Sequence, residues 1–272
     1  MPRYPLTSAA DPRVAPYAQL HQSNLTRTSR LFVAEGDKVV QRLVESSFEV
    51  DSILAEETWA KRLEPLVPPE TPIYVAAREL MTELVGFRFH RGVLACGRRK
   101  PPPALDEIVA SCGEQPAIVL VCPAVQDPTN LGSIVRTAAA MGAAAVLLGS
   151  ECADPFSRRV LRVSMGSVLF IPVRESPDLI GDVVDLREHH NFEILATVLD
   201  KNAAPLDQIT RPNRLALVLG SEGHGLDERW LQLCPQQITL PMRAGIDSLN
   251  VSIAAAVFLY HFAQVAPLRD VS

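Results

Sequence analysis

Three short stretches of this 272-residue chain carry residue types that can do chemistry. In the first, Asp127-Pro128-Thr129 leads into Asn130, and Arg136 lies six residues on. In the second, Gly220-Ser221-Glu222-Gly223-His224-Gly225 follows the apolar run Leu215 to Leu219. In the third, Leu240-Pro241-Met242 turns toward Ser248-Leu249-Asn250 and the apolar run that starts at Val251. Each sets an amide, carboxylate, guanidinium or hydroxyl where an apolar run gives way to a helix or loop. That junction is where an open α/β sheet gathers its ligand. Polar groups placed this way three times over point to a ligand site rather than to fold maintenance.

The glycine loop narrows the chemistry. Three glycines in six residues let a backbone approach a ligand and supply positive φ angles. Their order is G-x-x-G-x-G, not the G-x-G-x-x-G of a dinucleotide fold, and no Walker lysine follows. A nicotinamide cofactor and a nucleoside triphosphate are therefore both disfavoured. Cys96, Cys112, Cys122, Cys152 and Cys234 form no CxxC pair and have no histidine at metal spacing, so reduced thiols and no metal are expected.

The elements that must position these residues follow from periodicity. After residue 104, short continuous apolar runs alternate with helical patterns. Strands are predicted at Ala117–Cys122, Ala144–Leu148, Leu169–Val173, Phe192–Leu199 and Arg214–Leu219, and another ends at Leu240. Helices are predicted near Asn130–Met141, Phe156–Met165 and Asp178–His189, and a last, apolar one is entered at Ser248. Such alternation implies a mostly parallel sheet covered by helices, an α/β fold. Before residue 100 a smaller α/β/α pattern is predicted, with helices near 36–46, 56–66 and 78–84 and strands at 50–55, 73–75 and 92–96. Lys100-Pro101-Pro102-Pro103 reads as a stiff linker. The expected organisation is a leader over 1–21, a small domain over 22–100, a linker over 101–114 and a large domain over 115–272.

Composition is ordinary for a globular protein, at 47% apolar and 21% charged residues. No apolar run reaches the roughly 18 residues of a membrane span, and no secretory core is seen at the start. A soluble, cytoplasmic protein is expected. The net charge of −5 hides an asymmetry: residues 1–103 hold 14 Lys+Arg against 12 Asp+Glu, and residues 104–272 hold 12 against 19.

DPTNLGSIVRTAAAMG, LVLGSEGHGL and LPMRAGIDSLNVSIAAAVFLY, in that order, closely resemble the three motifs of the SpoU/TrmH family of RNA ribose 2′-O-methyltransferases in the SPOUT superfamily. The resemblance covers about residues 115–265. The stretch around Phe32-Val33-Ala34-Glu35-Gly36 resembles the L30e-like substrate-binding domain of many members, over about residues 22–100. The resemblance implies a mostly parallel sheet with a deep C-terminal trefoil knot, S-adenosyl-L-methionine as cofactor, and a homodimer built through the knot. It implies cofactor contacts at Val198, Leu199, Leu219, Gly220, Gly223, Leu240, Met242 and Leu249. It places Asn130, Arg136, Glu222, Ser248 and Asn250 at the family's polar site positions.

The implied reaction suits these types. A ribose hydroxyl must shed its proton as it attacks a sulfonium methyl, and the sulfonium carries a positive charge and a good leaving group, the neutral thioether, so no metal is needed. The family's proton acceptor falls at Arg136. A guanidinium ordinarily holds its proton, so an electrostatic, positioning role competes with that assignment. For RNA phosphates the candidates are Arg27, Arg30, Arg88, Arg91, Arg158 and Arg162, with Arg159 beside them; Phe87-Arg88-Phe89-His90-Arg91 interleaves rings for stacking. Ribosomal RNA is the expected substrate. A tRNA enzyme, or a non-catalytic RNA-binding protein that kept the knot, are the alternatives.

Overall fold

The structure, a computed structural model, describes residues 3–18, 20, 29–200, 202–242 and 247–269. It divides into two compact units: residues 1–101 with 156–170, and residues 102–155 with 171–272.

The first unit is built on a five-stranded mixed sheet in the order β1-β4-β3-β5-β2. Its strands are β1 (Arg3–Pro5), β2 (Leu31–Glu35), β3 (Val50–Ala55), β4 (Ile73–Val75) and β5 (Val93–Arg98). Strand β5 pairs antiparallel with β2 and β3, and β4 is parallel to β1 and β3. Its helices are α1 (Asp37–Glu45), α2 (Glu57–Leu63) and α3 (Arg78–Val85). In α1, Val39, Val40 and Leu43 recur at helical spacing and are buried.

Residues 3–18 are not a separate leader. Tyr4 and Pro5 extend the sheet edge through β1, and Val14 and Tyr17, on a 3-10 turn, are fully buried. The Tyr17 hydroxyl accepts from the Cys96 N–H (3.1 Å) and shares a hydrogen bond with Ser52 Oγ (2.8 Å). Pro5 in the edge strand and Pro12 and Pro16 in the 3-10 turn sit where a missing N–H is tolerated.

The second unit holds a seven-stranded, wholly parallel sheet in the order β10-β12-β9-β11-β6-β7-β8. These strands are β6 (Ala117–Cys122), β7 (Ala145–Leu148), β8 (Val173–Glu175), β9 (Glu193–Thr197), β10 (Ala204–Pro205), β11 (Arg214–Val218) and β12 (Gln236–Thr239). The helices are α4 (Leu105–Cys112), α5 (Pro128–Ala140), α7 (Leu179–Glu188), α8 (Glu228–Leu233) and α9 (Val251–Tyr260); α6 (Arg158–Val163) belongs to the first unit. All six residues of β6 are buried, as a central parallel strand requires.

Three boundaries differ from expectation. The proline linker ends at Ala104: Leu105, Ile108 and Val109 recur at helical spacing and pack into the core as α4. There the Glu107 carboxylate accepts from the Ala104 N–H (3.0 Å) and Arg174 Nη1 donates to the Pro103 carbonyl (2.9 Å). Second, residues 156–170 pack with the first unit, Phe156 against Phe32 and Phe48. Third, the strand expected at 169–173 begins at Val173, and Ser167–Leu169 form a 3-10 turn instead.

No helix among the described residues is long and apolar enough to cross a membrane. The cysteines are free thiols. Burial pushes Cys96 up to about 12 and Cys152 and Cys234 up to about 11. A thiolate is the nucleophile in alkylation, so at pH 8 iodoacetamide should modify the half-buried Cys112 first and the other four only after unfolding. Their raised folded pKa values also make stability fall as pH climbs above about 9, because the unfolded chain's thiols ionise first. Tyr17→Phe strands a buried N–H and a hydroxyl, and should cost about 1–3 kcal/mol in urea denaturation.

Candidate functional site

The three polar stretches converge in the second unit. Helix α5 starts two residues earlier than its apolar pattern suggests. Asp127 caps it, its Oδ1 accepting from the Thr129 N–H (2.6 Å), with Pro128 in the first turn. Asn130 is thereby freed from capping and turned inward, 9% exposed. Helix α9 starts later than expected, at Val251, capped by Asn250, whose Oδ1 accepts from the Ser252 N–H (2.9 Å) and hydroxyl (2.7 Å).

A continuous hydrogen-bonded chain links the stretches. Asn250 Nδ2 donates to Asn130 Oδ1 (3.0 Å), and Asn130 Nδ2 donates to Glu222 Oε1 (2.8 Å). Glu222 Oε2 accepts from the Gln126 N–H (3.2 Å). Both carboxylate oxygens are thus engaged, which suits an orienting group. Each amide nitrogen keeps one further N–H.

The glycine loop closes on itself: the Ser221 N–H donates to the Gly225 carbonyl (2.9 Å) and the Gly225 N–H to the Ser221 carbonyl (3.2 Å). Gly223 and Gly225 take φ of +83° and +70°, and a Cβ on Gly220 would sit 2.9 Å from Gly225 Cα. The loop forms one wall of a cavity of about 540 Å³ at the carboxyl ends of β9, β11 and β12. Of the residues expected at the cofactor, Val198, Leu199, Gly220, Gly223, Leu240, Met242 and Leu249 line it, as do Ser248, Asn250 and Glu222. Its size is that of a small-molecule site, about 300–1,000 Å³. Backbone edges at 197–200 and 220–226 and the apolar walls Leu240, Leu249 and Phe258 fit a nucleoside bearing a short aliphatic arm.

Three expected residues do not line the cavity, and of these Asn130 is tied to it through Asn250 and Glu222. Leu219 is 1% exposed and does not line the cavity; its N–H extends the sheet by donating to the Val121 carbonyl (2.9 Å). Arg136 is exposed, does not line the cavity, and makes no hydrogen bond or ion pair with the described residues. Six residues from Asn130 on one helix, it points about 120° away from it around the helix axis. Thr197, Asp200, Leu231, Ala254 and Phe258 line the cavity and were missed. The signal for them was positional: each ends or follows a strand or faces the cavity from a helix.

Among the expected RNA contacts, Arg27 lies outside the described residues. Arg158 and Arg162 lie on α6 in the first unit. There Arg158 stacks on Phe87, 4.4 Å from the ring centroid, and approaches the buried Glu35 carboxylate at 3.7 Å; Arg91 reaches it at 3.9 Å. Burial lowers the Arg158 pKa, partly offset by Glu35. Arg30 and Arg88 are exposed, and Phe89 is core. With residues 156–170 counted in it, the first unit carries 17 Lys+Arg against 12 Asp+Glu, and the second 9 against 19.

Residues 117–260 match the SpoU rRNA Methylase family. The chain belongs to this family. An uncharacterized tRNA/rRNA methyltransferase of Mycobacterium bovis is 36% identical over 92% of this chain and 88% of its own length. The 23S rRNA (guanosine-2′-O-)-methyltransferase RlmB of Acinetobacter baylyi is 34% identical over 74% and 81%. The AdoMet-bound rRNA methyltransferase of Sinorhizobium meliloti superposes with a TM-score of 0.83 at 22% identity, covering 96% of this chain and 97% of its own, which establishes the shared fold.

Asn130→Asp tests the hydrogen-bonded chain. It sets a second carboxylate against Glu222, which raises the pair's pKa. The variant should lose about 2 kcal/mol of stability at pH 8 and recover part of it by pH 5, as the shared proton binds; urea titrations at the two pH values read this directly.

Proposed function

We propose that this protein methylates a ribose 2′-hydroxyl of ribosomal RNA, with S-adenosyl-L-methionine as methyl donor. The observation that carries the reading is the Asn250–Asn130–Glu222 chain bordering the 540 Å³ cavity. When bound, the donor supplies an activated methyl on a sulfonium. The loop 220–226 and residues 197–200 would hold its nucleoside through backbone groups, and Leu240, Leu249 and Phe258 would exclude water. Asn130 and Asn250, each with a spare N–H, would orient the ribose, while Glu222 fixes Asn130 and, through it, Asn250. Ser248, at the cavity, offers a hydroxyl to substrate. The RlmB relative is named for guanosine, which makes guanosine the first nucleoside to look for.

With Glu222 engaged by two donors, the departing proton needs another destination; Arg136 would take it only where RNA or a neighbouring chain had first drawn off the proton its guanidinium ordinarily holds, and otherwise would steady the developing oxyanion by its charge. A second copy of the chain would complete the site around it. Ile253, Val257 and Tyr260, at helical spacing on α9, are 54%, 40% and 55% exposed, an apolar stripe on a helix that packs against α5. Burying that stripe in a homodimer accounts for it. The passage expected to thread the trefoil knot includes residues 243–246, outside the described residues. The first unit, basic and carrying the Arg158–Phe87 stack, is the proposed RNA-binding domain, L30e-like in kind, with Arg30, Arg88, Arg91, Arg158 and Arg162 as phosphate contacts. A cytoplasmic location accords with an rRNA substrate.

Ribose-methylation mapping of total RNA, with the gene present, deleted, or restored as Arg136→Ala, tests the reading. One rRNA mark should vanish on deletion, return with the wild-type gene and stay absent with Arg136→Ala. No changed ribose would overturn the function, and full recovery by Arg136→Ala would overturn the role of Arg136. Val257→Asp should convert the dimer to monomer in sedimentation and cut turnover at least tenfold.

A further inference from the structure

The loop 220–226 has a second side. A depression of about 560 Å³ there is walled by Gln126, Asn130, Glu151, Glu222 and His224. It adjoins another of about 360 Å³ that shares Glu151 and His224 and reaches Ser176 and Trp230. Together they form a trough beyond the carboxyl ends of β6, β7, β8 and β11, the edge where a parallel sheet binds ligands. Ser221, Glu222 and His224 also line the 540 Å³ cavity. The trough and that cavity are therefore two faces of one loop, with Asn130 and Glu222 at the junction.

The trough has the marks of a recognition site for something that donates hydrogen bonds. Ser176, 6% exposed, lines it with a buried hydroxyl that has no partner, a rare condition in a native interior. The linings hold Asp127, Glu151, Asp178, Glu222 and Asp227 against one arginine, Arg229, so a phosphate is repelled there. Three of these carboxylates cap helices, Asp127, Asp178 and Asp227, and Glu222 is engaged with Asn130 and Gln126. Glu151 differs: it is exposed and makes no hydrogen bond or ion pair with the described residues.

We propose that the trough receives the base of the nucleotide being methylated, and that Glu151 is the specificity-determining residue that reads it as guanine. This rests on the methyltransferase reading above. A carboxylate presents two parallel acceptors. Guanine alone among the four bases sets two donors side by side, N1–H and N2–H, to meet them. Uracil places a single N–H between two carbonyls; adenine and cytosine set one amino group beside an acceptor. A ribose held at Asn130 and Glu222 would put its own base within the adjoining depression, which shares both of those residues.

The test uses rRNA from cells lacking the gene, incubated with the protein and S-adenosylmethionine and digested to nucleosides for mass spectrometry. The new product should be 2′-O-methylguanosine; a methylated uridine, cytidine or adenosine overturns the proposal while leaving the transferase reading intact. No methylated ribose at all overturns the transferase reading, and the base reading with it. An oligoribonucleotide spanning the mapped site, with guanosine or inosine at the target, then isolates Glu151. Inosine lacks the 2-amino group, so the wild type should lose about tenfold or more in kcat/KM on it. Glu151→Gln should be weaker on guanosine and nearly indifferent to the change, with S-adenosylmethionine affinity unaltered by calorimetry. Equal discrimination by variant and wild type overturns the role of Glu151.

Discussion

The buried amide of Asn130 is the constraint on which the site depends. Removed from water, its oxygen and nitrogen must both find partners, since each one left unpaired costs about 1–3 kcal/mol. They find Asn250, 120 residues away, and Glu222, 92 residues away. Three loops that leave the carboxyl edge of the sheet are therefore held to one another by a single side chain, and the cavity wall is set by that contact. Ample packing lies behind it: α9 rests on α5, and β11 is flanked by β6 and β9. Packing brings the loops near; the amide decides their register.

The same network restricts the chemistry. Glu222 spends one oxygen on Asn130 and the other on the Gln126 N–H, which makes it a brace. In the proposed reaction the proton leaving the ribose hydroxyl is therefore assigned to a group outside this chain of bonds. Arg136, the proposed acceptor, ordinarily holds its own proton and sits apart by geometry, on another face of α5. The exposed stripe of α9 supplies the proposed resolution, because a helix apolar on both its inner and outer faces is ordinarily covered.

Charge and fold divide along the same line. The crossover between β7 and β8 lends residues 156–170 to the first unit, and with them Arg158, Arg159 and Arg162. Phe156 joins the rings of Phe32 and Phe48, and Arg42 Nη1 donates to the Met165 carbonyl (2.6 Å). The second unit is left with more than two acids for each base. An acidic catalytic unit gains little from phosphate attraction, so in the proposed division of labour the polyanion is held by the first unit.

Local pattern was enough to determine the parallel sheet, most helix positions and the polar stretches, because strand burial and helix periodicity are written in consecutive residues. The apolar run 215–219 could be little else than a buried strand, and three glycines between 220 and 225 could be little else than a closely approached loop. The sequence also contained the residues of the cavity, including Gly220, Leu240, Leu249 and Asn250. What it did not determine was which of them touch. That Leu219 ends the sheet while Thr197 and Phe258 face the cavity depends on strand register and helix phase, summed over distant segments. Part of the stretch expected as a leader, Arg3–Pro5, became an edge strand because β4 lay open beside it, and α6 joined the first unit because Phe32 and Phe48 stood ready for Phe156. Each of these is a choice among partners, and a partner far away in the chain leaves no periodic trace in the residues that meet it.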